Sequence, residues 1–165
     1  MKKMYKSKQI LLFDLDDTLF DSTNQPEDTG NKWSISVFEG VKSFLVSNKY
    51  QSILVTRGNV ERQNRKIDIL GIKKYFSDIY IVENDELKNH KFKSIIKEYP
   101  NNTLIVIGNR IDCEIRYGNL LGLKTIHVEH GKHKIIVAKD EYEIPTIRIK
   151  PNDFFNLETI IKNLS

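Results

Sequence analysis

The sequence predicts an α/β domain with a doubly wound parallel sheet in three layers. Short apolar runs alternate with amphipathic stretches along the 165 residues, which is the rhythm of βα units. Most of these runs are continuously apolar, as expected for central parallel strands covered on both faces. Polar residues follow three of the runs. The length fits one domain, which we expect to span 1–165.

Five apolar runs are the predicted strands, and each is bounded by polar or turn-forming residues. Right-handed crossovers between parallel strands place ligands at the carboxyl ends of the strands, so the residues that follow each run are the ones to inspect. The predicted strands are Ile10–Phe13, Ser52–Val55, Ile79–Val82, Leu104–Ile107 and Thr125–Val128.

The stretches between the strands carry apolar residues at helical spacing. One of them stops at Gly71, a plausible left-handed cap, and another is followed by Pro100. The polar loop Ser22–Lys32 follows the first strand and is expected near the site. The predicted helices are Val37–Asn48, Val60–Leu70, His90–Tyr99, Ile111–Leu121 and, after the apolar stretch Ile147–Ile149, about Asn156–Asn163.

Composition narrows the class of protein. Hydrophobic residues at 39% and charged residues at 29% are ordinary for a soluble globular chain. The net charge of +4 is spread along the sequence, which favours solvated surface lysines over a dedicated nucleic-acid face. No segment approaches a membrane span, and the single Cys113, expected to be a buried or half-buried thiol, excludes an intramolecular disulfide. We expect a cytoplasmic protein without membrane association.

Polar groups follow three separate strands. The first strand ends in Asp14–Thr18, the second in Thr56–Asn59 and the fourth in Gly108–Asp112. Carboxylates as close as Asp14 and Asp16 repel each other and lose solvation unless a cation or proton compensates. The arrangement is typical of a site where a divalent metal sits between acids and one carboxylate does chemistry.

The segment Asp14-Leu15-Asp16-Asp17-Thr18 has the pattern D-x-D-x-T and resembles the first signature of the haloacid dehalogenase-like (HAD) superfamily. The resemblance extends over roughly Ile10 to Val128. It implies that Asp14 is a nucleophile that forms an aspartyl-phosphate. It also implies that Asp16 protonates the leaving oxygen and then activates water. Asp17 and Thr18 are better read as residues that order the loop.

The resemblance extends to two further elements. Thr56 matches a Ser or Thr that binds a phosphoryl oxygen together with adjacent backbone groups, which makes Thr56, Arg57 and Gly58 the expected substrate-binding residues. A lysine that neutralises the phosphoryl group is also implied. Lys88, just before a predicted helix cap at Asn89, is preferred, and Lys91 is the alternative.

A Mg²⁺ site is implied by the fourth element, which normally begins Gly-Asp. Here it reads Gly108-Asn109, so a neutral amide stands where an acid is usual. An amide oxygen still ligates a hard cation but brings no charge, which predicts weaker metal binding. Glu114 could help if the turn presents it. The expected metal ligands are Asp14, Asp16, Asn109 and Asp112.

Neither interval between the motifs has room for a cap domain. The sequence therefore predicts a capless, Mg²⁺-dependent phosphatase or phosphotransferase that acts through an aspartyl-phosphate on a phosphorylated substrate. An uncovered site suits a macromolecular substrate, or an oligomer, that closes it. The alternative is a non-catalytic module that keeps the fold and binds a phosphorylated or protein partner; Asn109 favours this alternative, and the intact Asp14 and Asp16 oppose it.

Overall fold

The computed structural model of the chain describes residues 8–25, 33–47 and 49–164. Its centre is a six-stranded sheet in the order β3-β2-β1-β4-β5-β6, and every pairing is parallel. This confirms the predicted doubly wound α/β architecture. The strands are β1 Gln9–Phe13, β2 Gln51–Arg57, β3 Asp78–Val82, β4 Thr103–Gly108, β5 Lys124–Val128 and β6 Ile147–Ile149.

All five predicted strands are present, and each begins one residue earlier than predicted. The first residue of each is polar and sits at the sheet margin, where apolar composition gives no signal. Strand β2 also continues to Arg57 because its backbone pairs with Val82 of β3. Strand β6 is the short stretch Ile147–Ile149, which pairs with β5 at the edge of the sheet.

The helices are α1 Val41–Ser47, α2 Val60–Leu70, α3 Asp85–Glu98, α4 Arg116–Leu120 and α5 Leu157–Asn163. Helix α2 has the predicted bounds and ends at Gly71, whose φ of 65° is left-handed. Asn59 caps its start, because the Asn59 side chain accepts a hydrogen bond from the Arg62 N–H at 3.0 Å. Helix α5 follows a 3₁₀ turn, Pro151–Asn156.

The predicted start of α3 at His90, capped by Asn89, is wrong. The helix begins at Asp85, and the Asn84 side chain accepts a hydrogen bond from the Leu87 N–H at 2.9 Å. Asp85 and Glu86 then occupy the first turn, where negative charge favours the helix dipole. The apolar face, which begins at Phe92, does not reveal this polar first turn. Lys88 therefore lies within the helix rather than before it.

Two other helices differ from prediction. Helix α1 begins at Val41 and not at Val37, because Val37 forms a bridge with Phe20 and Gly40 turns the chain with φ of 85°. The predicted helix Ile111–Leu121 is composite, with a wide π turn at Ile111–Ile115 before α4. The end of the first predicted helix at Asn48, and residues 26–32 of the predicted polar loop, lie outside the described residues.

Two apolar layers cover the sheet, one on each face. Residues of β1 alternate between them: Leu11 and Phe13 belong to the larger cluster, whereas Ile10 and Leu12 belong to the smaller one. Phe92 and Ile95 of α3 pack in the smaller cluster. Because helices cover both faces, ligands are expected at the edge formed by the carboxyl ends of the strands.

No cap domain covers these strand ends in the part of the chain that the structure describes, in keeping with the predicted capless type. Across residues 8–25, 33–47 and 49–164, no helix has both the length and the apolar character needed to cross a membrane.

We predict that Gly40→Ala destabilises the fold more than Gly71→Ala does. Both glycines have positive φ, which costs an L-residue about 1–2 kcal/mol. A Cβ at Gly40 would also lie 2.9 Å from the backbone nitrogen of Phe155, whereas nothing lies within 4 Å of a Cβ at Gly71. Urea unfolding should show an additional loss of about 1–3 kcal/mol for the Gly40 variant. Equal losses would contradict close packing between the start of α1 and residue 155.

Candidate active site

The carboxyl ends of β1, β2 and β4 open into a cavity of about 330 Å³. Its wall combines acids and bases from several separate segments, as expected where strand ends meet. Trp33, Phe20, Ser22 and Gln25 close one side. The charged and amide side chains in the wall are Asp14, Asp16, Asp17, Arg57, Arg62, Lys66, Asp85, Lys88, Asn109, Arg110, Glu114, Lys132 and His133.

At the base of the cavity a buried lysine bridges two buried carboxylates. The Lys88 ammonium donates to Asp14 Oδ1 at 2.8 Å and to Glu114 Oε1 at 2.6 Å. Lys88 and Glu114 are each 2% exposed, and Asp14 is 7% exposed. Asp14 follows β1 directly, and Lys88 reaches it from the first turn of α3. The three side chains thus join three elements around one charged network.

Glu114 reaches this network because of the wide turn Ile111–Ile115. A Cβ at Gly108 would lie 2.6 Å from Glu114 Cβ, so the missing side chain at Gly108 makes the space that Glu114 occupies. Glu114 Oε2 also accepts a hydrogen bond from the Arg110 N–H at 3.1 Å. The sequence analysis named Glu114 only as a conditional helper. The G-N-x-x-x-x-E spacing gives no clue to the π turn, which decides which acid faces the strand ends.

Burial raises the pKa of Asp14 to about 7. The charges of Glu114 and Asp16 also raise this pKa, whereas the attraction of Lys88 lowers it. Burial lowers the pKa of Lys88, but the two carboxylates raise it more, and the net shift is upward. One ammonium between two carboxylates leaves a net charge of −1 in a buried place. A proton or a cation near Asp14 would compensate this charge.

The residues beside Asp14 fit a divalent, oxygen-seeking cation. Asn109 is 3% exposed and shares the cavity wall with Asp14. Its backbone carbonyl accepts a hydrogen bond from His127 Nε2 at 3.0 Å, which anchors the residue at the end of β4. Carboxylate and amide oxygens are suitable ligands for Mg²⁺, and a dication would supply the positive charge that the buried network lacks.

Asp16 is held from another direction, by helix α2. The Lys66 ammonium lies 2.6 Å from Asp16 Oδ1, and Gln63 Nε2 donates to Asp16 Oδ2 at 2.9 Å. Sequence analysis missed both residues. A signal was present, because Gln63 and Lys66 precede the inward-facing Ile67 and Leu70 by one helical turn and therefore share their face.

The three residues predicted to bind substrate lie in different surroundings. Thr56 is fully buried at the end of β2, and its hydroxyl accepts a hydrogen bond from Gln63 Nε2 at 2.7 Å. Arg57 lines the cavity and pairs with Asp85 at 3.1 Å. The Gly58 N–H donates to the carbonyl of Val82 at 2.9 Å, which commits that backbone group to the fold.

The structure does not bring Lys91 or Asp112 to this cavity. The Lys91 ammonium lies 4.1 Å from the centroid of the Tyr80 ring, away from Asp14. Asp112 forms a bidentate ion pair with Arg110, with Oδ1 accepting from Nε at 3.1 Å and Oδ2 from Nη2 at 3.0 Å. Of the two candidate lysines, Lys88 is therefore the one placed at Asp14.

The loop after Asp14 is ordered by its own polar groups. Asp17 adopts a left-handed φ of 55° and accepts hydrogen bonds from the Thr23 N–H and hydroxyl at 2.9 and 2.7 Å. The Thr18 hydroxyl lies 3.4 Å from Asp14 Oδ2. Oxygens of Asp17 and Asp21 and a ring nitrogen of His130 lie within 4.8 Å of one another. Because Asp17 accepts both hydrogen bonds from Thr23, we interpret it as a residue that orders the loop.

Cys113 is fully buried, and burial raises the pKa of its thiol. A thiol in such surroundings stays protonated and is not accessible to substrate. The expectation of a small buried thiol is confirmed.

The chain is similar in sequence and in fold to known proteins. A curated relative, glyceraldehyde 3-phosphate phosphatase of Methanopyrus kandleri, is 24% identical over 109 residues, which are 62% of this chain and 47% of that protein. The chain thus spans about half the length of this relative. The fold is similar to a haloacid dehalogenase-like family hydrolase from Xanthomonas campestris, with a TM-score of 0.70, 17% identity and coverage of 94% and 96% of the two chains.

A second solved structure has the same fold. YfnB from Bacillus subtilis, described as a HAD-hydrolase and crystallised with magnesium, matches with a TM-score of 0.67 and 15% identity over 92% of this chain and 99% of that one. The profile of the NLI interacting factor-like phosphatases matches residues 9–125, which include the strand ends that carry Asp14, Thr56 and Asn109. The chain therefore belongs to the NLI interacting factor-like phosphatase family and has the HAD fold.

Proposed function

We propose that the protein is a Mg²⁺-dependent phosphomonoester phosphatase in which Asp14 forms an aspartyl-phosphate. The observation that carries the proposal is the Asp14–Lys88 pair at 2.8 Å in the wall of the cavity at the strand ends. A carboxylate held by a buried ammonium at the base of an accessible cavity is suited to attack an incoming phosphoryl group, whose negative charge the same ammonium offsets.

The reaction divides into two displacements. A carboxylate oxygen of Asp14 attacks phosphorus, the bond to the leaving oxygen breaks, and Asp16 gives that oxygen a proton. Asp16 then takes a proton from water as the water oxygen attacks the phosphorus of the acyl phosphate. Inorganic phosphate leaves, and the Asp14 carboxylate is restored. Lys88 remains cationic throughout and offsets the negative charge on Asp14 and on the transferred group.

Asp14 and Asn109 are the residues that would hold Mg²⁺, and the ion would withdraw charge from the phosphoryl oxygens. Asp16 and Asp112, which the sequence also predicts as ligands, have other partners in the structure: Lys66 and Gln63 for Asp16, and Arg110 for Asp112. We therefore propose a metal site with one carboxylate, from Asp14, and one amide, from Asn109. Its negative charge is lower than that of the predicted set of four ligands, three of which are carboxylates.

The proposed substrate class is a phosphomonoester whose bulk stays outside the cavity. This part of the proposal is supported by the absence of a cap domain over the strand ends among the described residues. A macromolecular substrate, or an oligomeric partner, would then exclude water from the site. The M. kandleri relative is named for a small sugar phosphate. Glyceraldehyde 3-phosphate and a phosphopeptide are therefore the two substrates to compare first.

One observation favours a second candidate function. Asn109 supplies no charge at the position where the family resemblance implies an acid, which suits a module that binds a phosphorylated partner without turnover. The Asp14–Lys88–Glu114 network and the separately held Asp16 support the phosphatase instead, because binding alone requires no second carboxylate held in the cavity wall.

Asp14→Asn should abolish Mg²⁺-dependent release of phosphate from an activated aryl phosphate while the fold persists. An amide is a poor nucleophile at phosphorus, whereas its size matches that of the carboxylate. Phosphate release is measured with and without a chelator, and circular dichroism reports the fold. The matched control is Asp68→Asn, on the exposed side of α2, which should keep wild-type activity.

Turnover near the wild-type value in the Asp14 variant would overturn the assignment of the nucleophile. A wild-type protein that is inactive on every phosphoester and binds no Mg²⁺ would favour the non-catalytic alternative.

Asn109→Asp should lower the Mg²⁺ concentration that gives half-maximal activity by around tenfold, equivalent to about 1.4 kcal/mol. The substitution adds one negative charge to a cation site without changing the size of the side chain. A Mg²⁺ titration of phosphate release measures the shift. If both proteins give the same titration curve while both are active, Asn109 is not a ligand to the metal.

A further inference from the structure

Helix α2 supplies a second charged network that is separate from the one around Lys88. Lys66 Nζ lies 2.6 Å from Asp16 Oδ1 and 5.9 Å from the centroid of the Phe20 ring. Lys66 is 7% exposed. A buried ammonium is costly unless it is paired, and the carboxylate that pairs with it belongs to the proposed acid–base residue.

Gln63 strengthens the same connection. Its Nε2 lies 2.9 Å from Asp16 Oδ2, 2.7 Å from the Thr56 hydroxyl oxygen and 3.2 Å from the Arg57 carbonyl oxygen, so its two N–H groups serve three acceptors. Gln63 is 1% exposed. One amide thus ties Asp16 to the end of strand β2, and each Asp16 oxygen has a donor from α2.

The two buried lysines pair with different carboxylates of the site. Lys88 serves Asp14 and Glu114, whereas Lys66 serves Asp16. Asp16 is also the more accessible acid, since 31% of its side chain is exposed against 8% for Asp14. A partly exposed carboxylate depends less on a buried lysine for stability, because solvent already screens part of its charge. The rigid donor pair therefore points to a requirement for the direction of the carboxylate.

We propose that Lys66 and Gln63 are positioning residues that hold Asp16 for proton transfer, with Lys66 as the counter-charge of the Asp16 carboxylate between the two displacements. The inference rests on the proposed phosphatase function. In the first displacement the proton leaves Asp16 for the departing oxygen, and Asp16 becomes an anion beside the Lys66 ammonium. In the second, the Asp16 anion accepts the proton of the attacking water and is neutral again, so atoms and charges balance.

This role predicts a specific kinetic change in Lys66→Met. A p-nitrophenolate leaving group needs no proton, so formation of the aspartyl-phosphate should be little affected. Hydrolysis of the intermediate does need a well-placed Asp16. General acid–base catalysis contributes roughly 10²–10⁴-fold, so misplacing the base should lower kcat by at least about tenfold. Because the intermediate then accumulates, KM should fall with kcat, and kcat/KM should change by less than about threefold.

The experiment is stopped-flow hydrolysis of p-nitrophenyl phosphate by the wild type, Lys66→Met, Lys66→Arg and Lys73→Met. We expect a burst of about one equivalent of p-nitrophenol from Lys66→Met, and partial recovery of kcat in Lys66→Arg, which keeps the charge. Lys73, an exposed lysine just beyond α2, gives the matched control, which should behave as the wild type. Gln63→Leu, which removes the other donor, should show the same pattern more weakly and serves if Lys66→Met fails to fold.

The outcomes separate the two proposals. An inactive wild type overturns the phosphatase function, and this inference with it. An active wild type with an unchanged kcat in Lys66→Met and Gln63→Leu overturns the inference alone. A fall in kcat/KM without a burst also overturns it, since Lys66 would then bind the phosphoryl group or support the fold without positioning Asp16.

Discussion

The ammonium of Lys88 between the carboxylates of Asp14 and Glu114 is the interaction on which the site depends. Removing one member of such a buried pair typically costs about 3–5 kcal/mol, because the remaining charge has no partner. The fold makes room for it through the wide turn at Ile111–Ile115 and the missing side chain at Gly108. Together they allow Glu114 to reach the cavity and contact Lys88.

The charge of this network explains what the rest of the site must supply. Two carboxylates and one ammonium leave one negative charge in excess, and burial, together with the charge of Glu114, raises the pKa of Asp14. A divalent cation would relieve the excess, and an incoming phosphoryl group would bring its own negative charge to be neutralised. Asp16 has its own donors, Lys66 and Gln63 of α2, although its charge also raises the pKa of Asp14. The proposed nucleophile and the proposed proton carrier therefore have separate hydrogen-bond partners although they are two residues apart.

The sequence predicted the sheet and the main site acids because both have strong local signals. Apolar runs define strands buried on both faces, and D-x-D-x-T at the end of one run is a specific motif. The start of α3 was not predicted from the sequence, because its Asn-Asp-Glu cap is polar and precedes the apolar face. Asp112 was predicted as a metal ligand and Glu114 only as a conditional helper, because a π turn leaves no mark in residue spacing. Gln63 and Lys66 were missed because they are polar, although they share the inward face of α2 with Ile67 and Leu70.

The proposed mechanism requires covalent attack by Asp14, and the direct test is to trap the intermediate. The wild-type protein is mixed with an activated aryl phosphate and Mg²⁺, quenched in acid within milliseconds, digested and examined by mass spectrometry. This mechanism predicts a transient phosphoryl group on the peptide that contains Asp14. The group is located on the Asp14 side chain and is lost as turnover ends. Phosphate released in a single turnover with no phosphorylated peptide, or with the group on another residue, would contradict it.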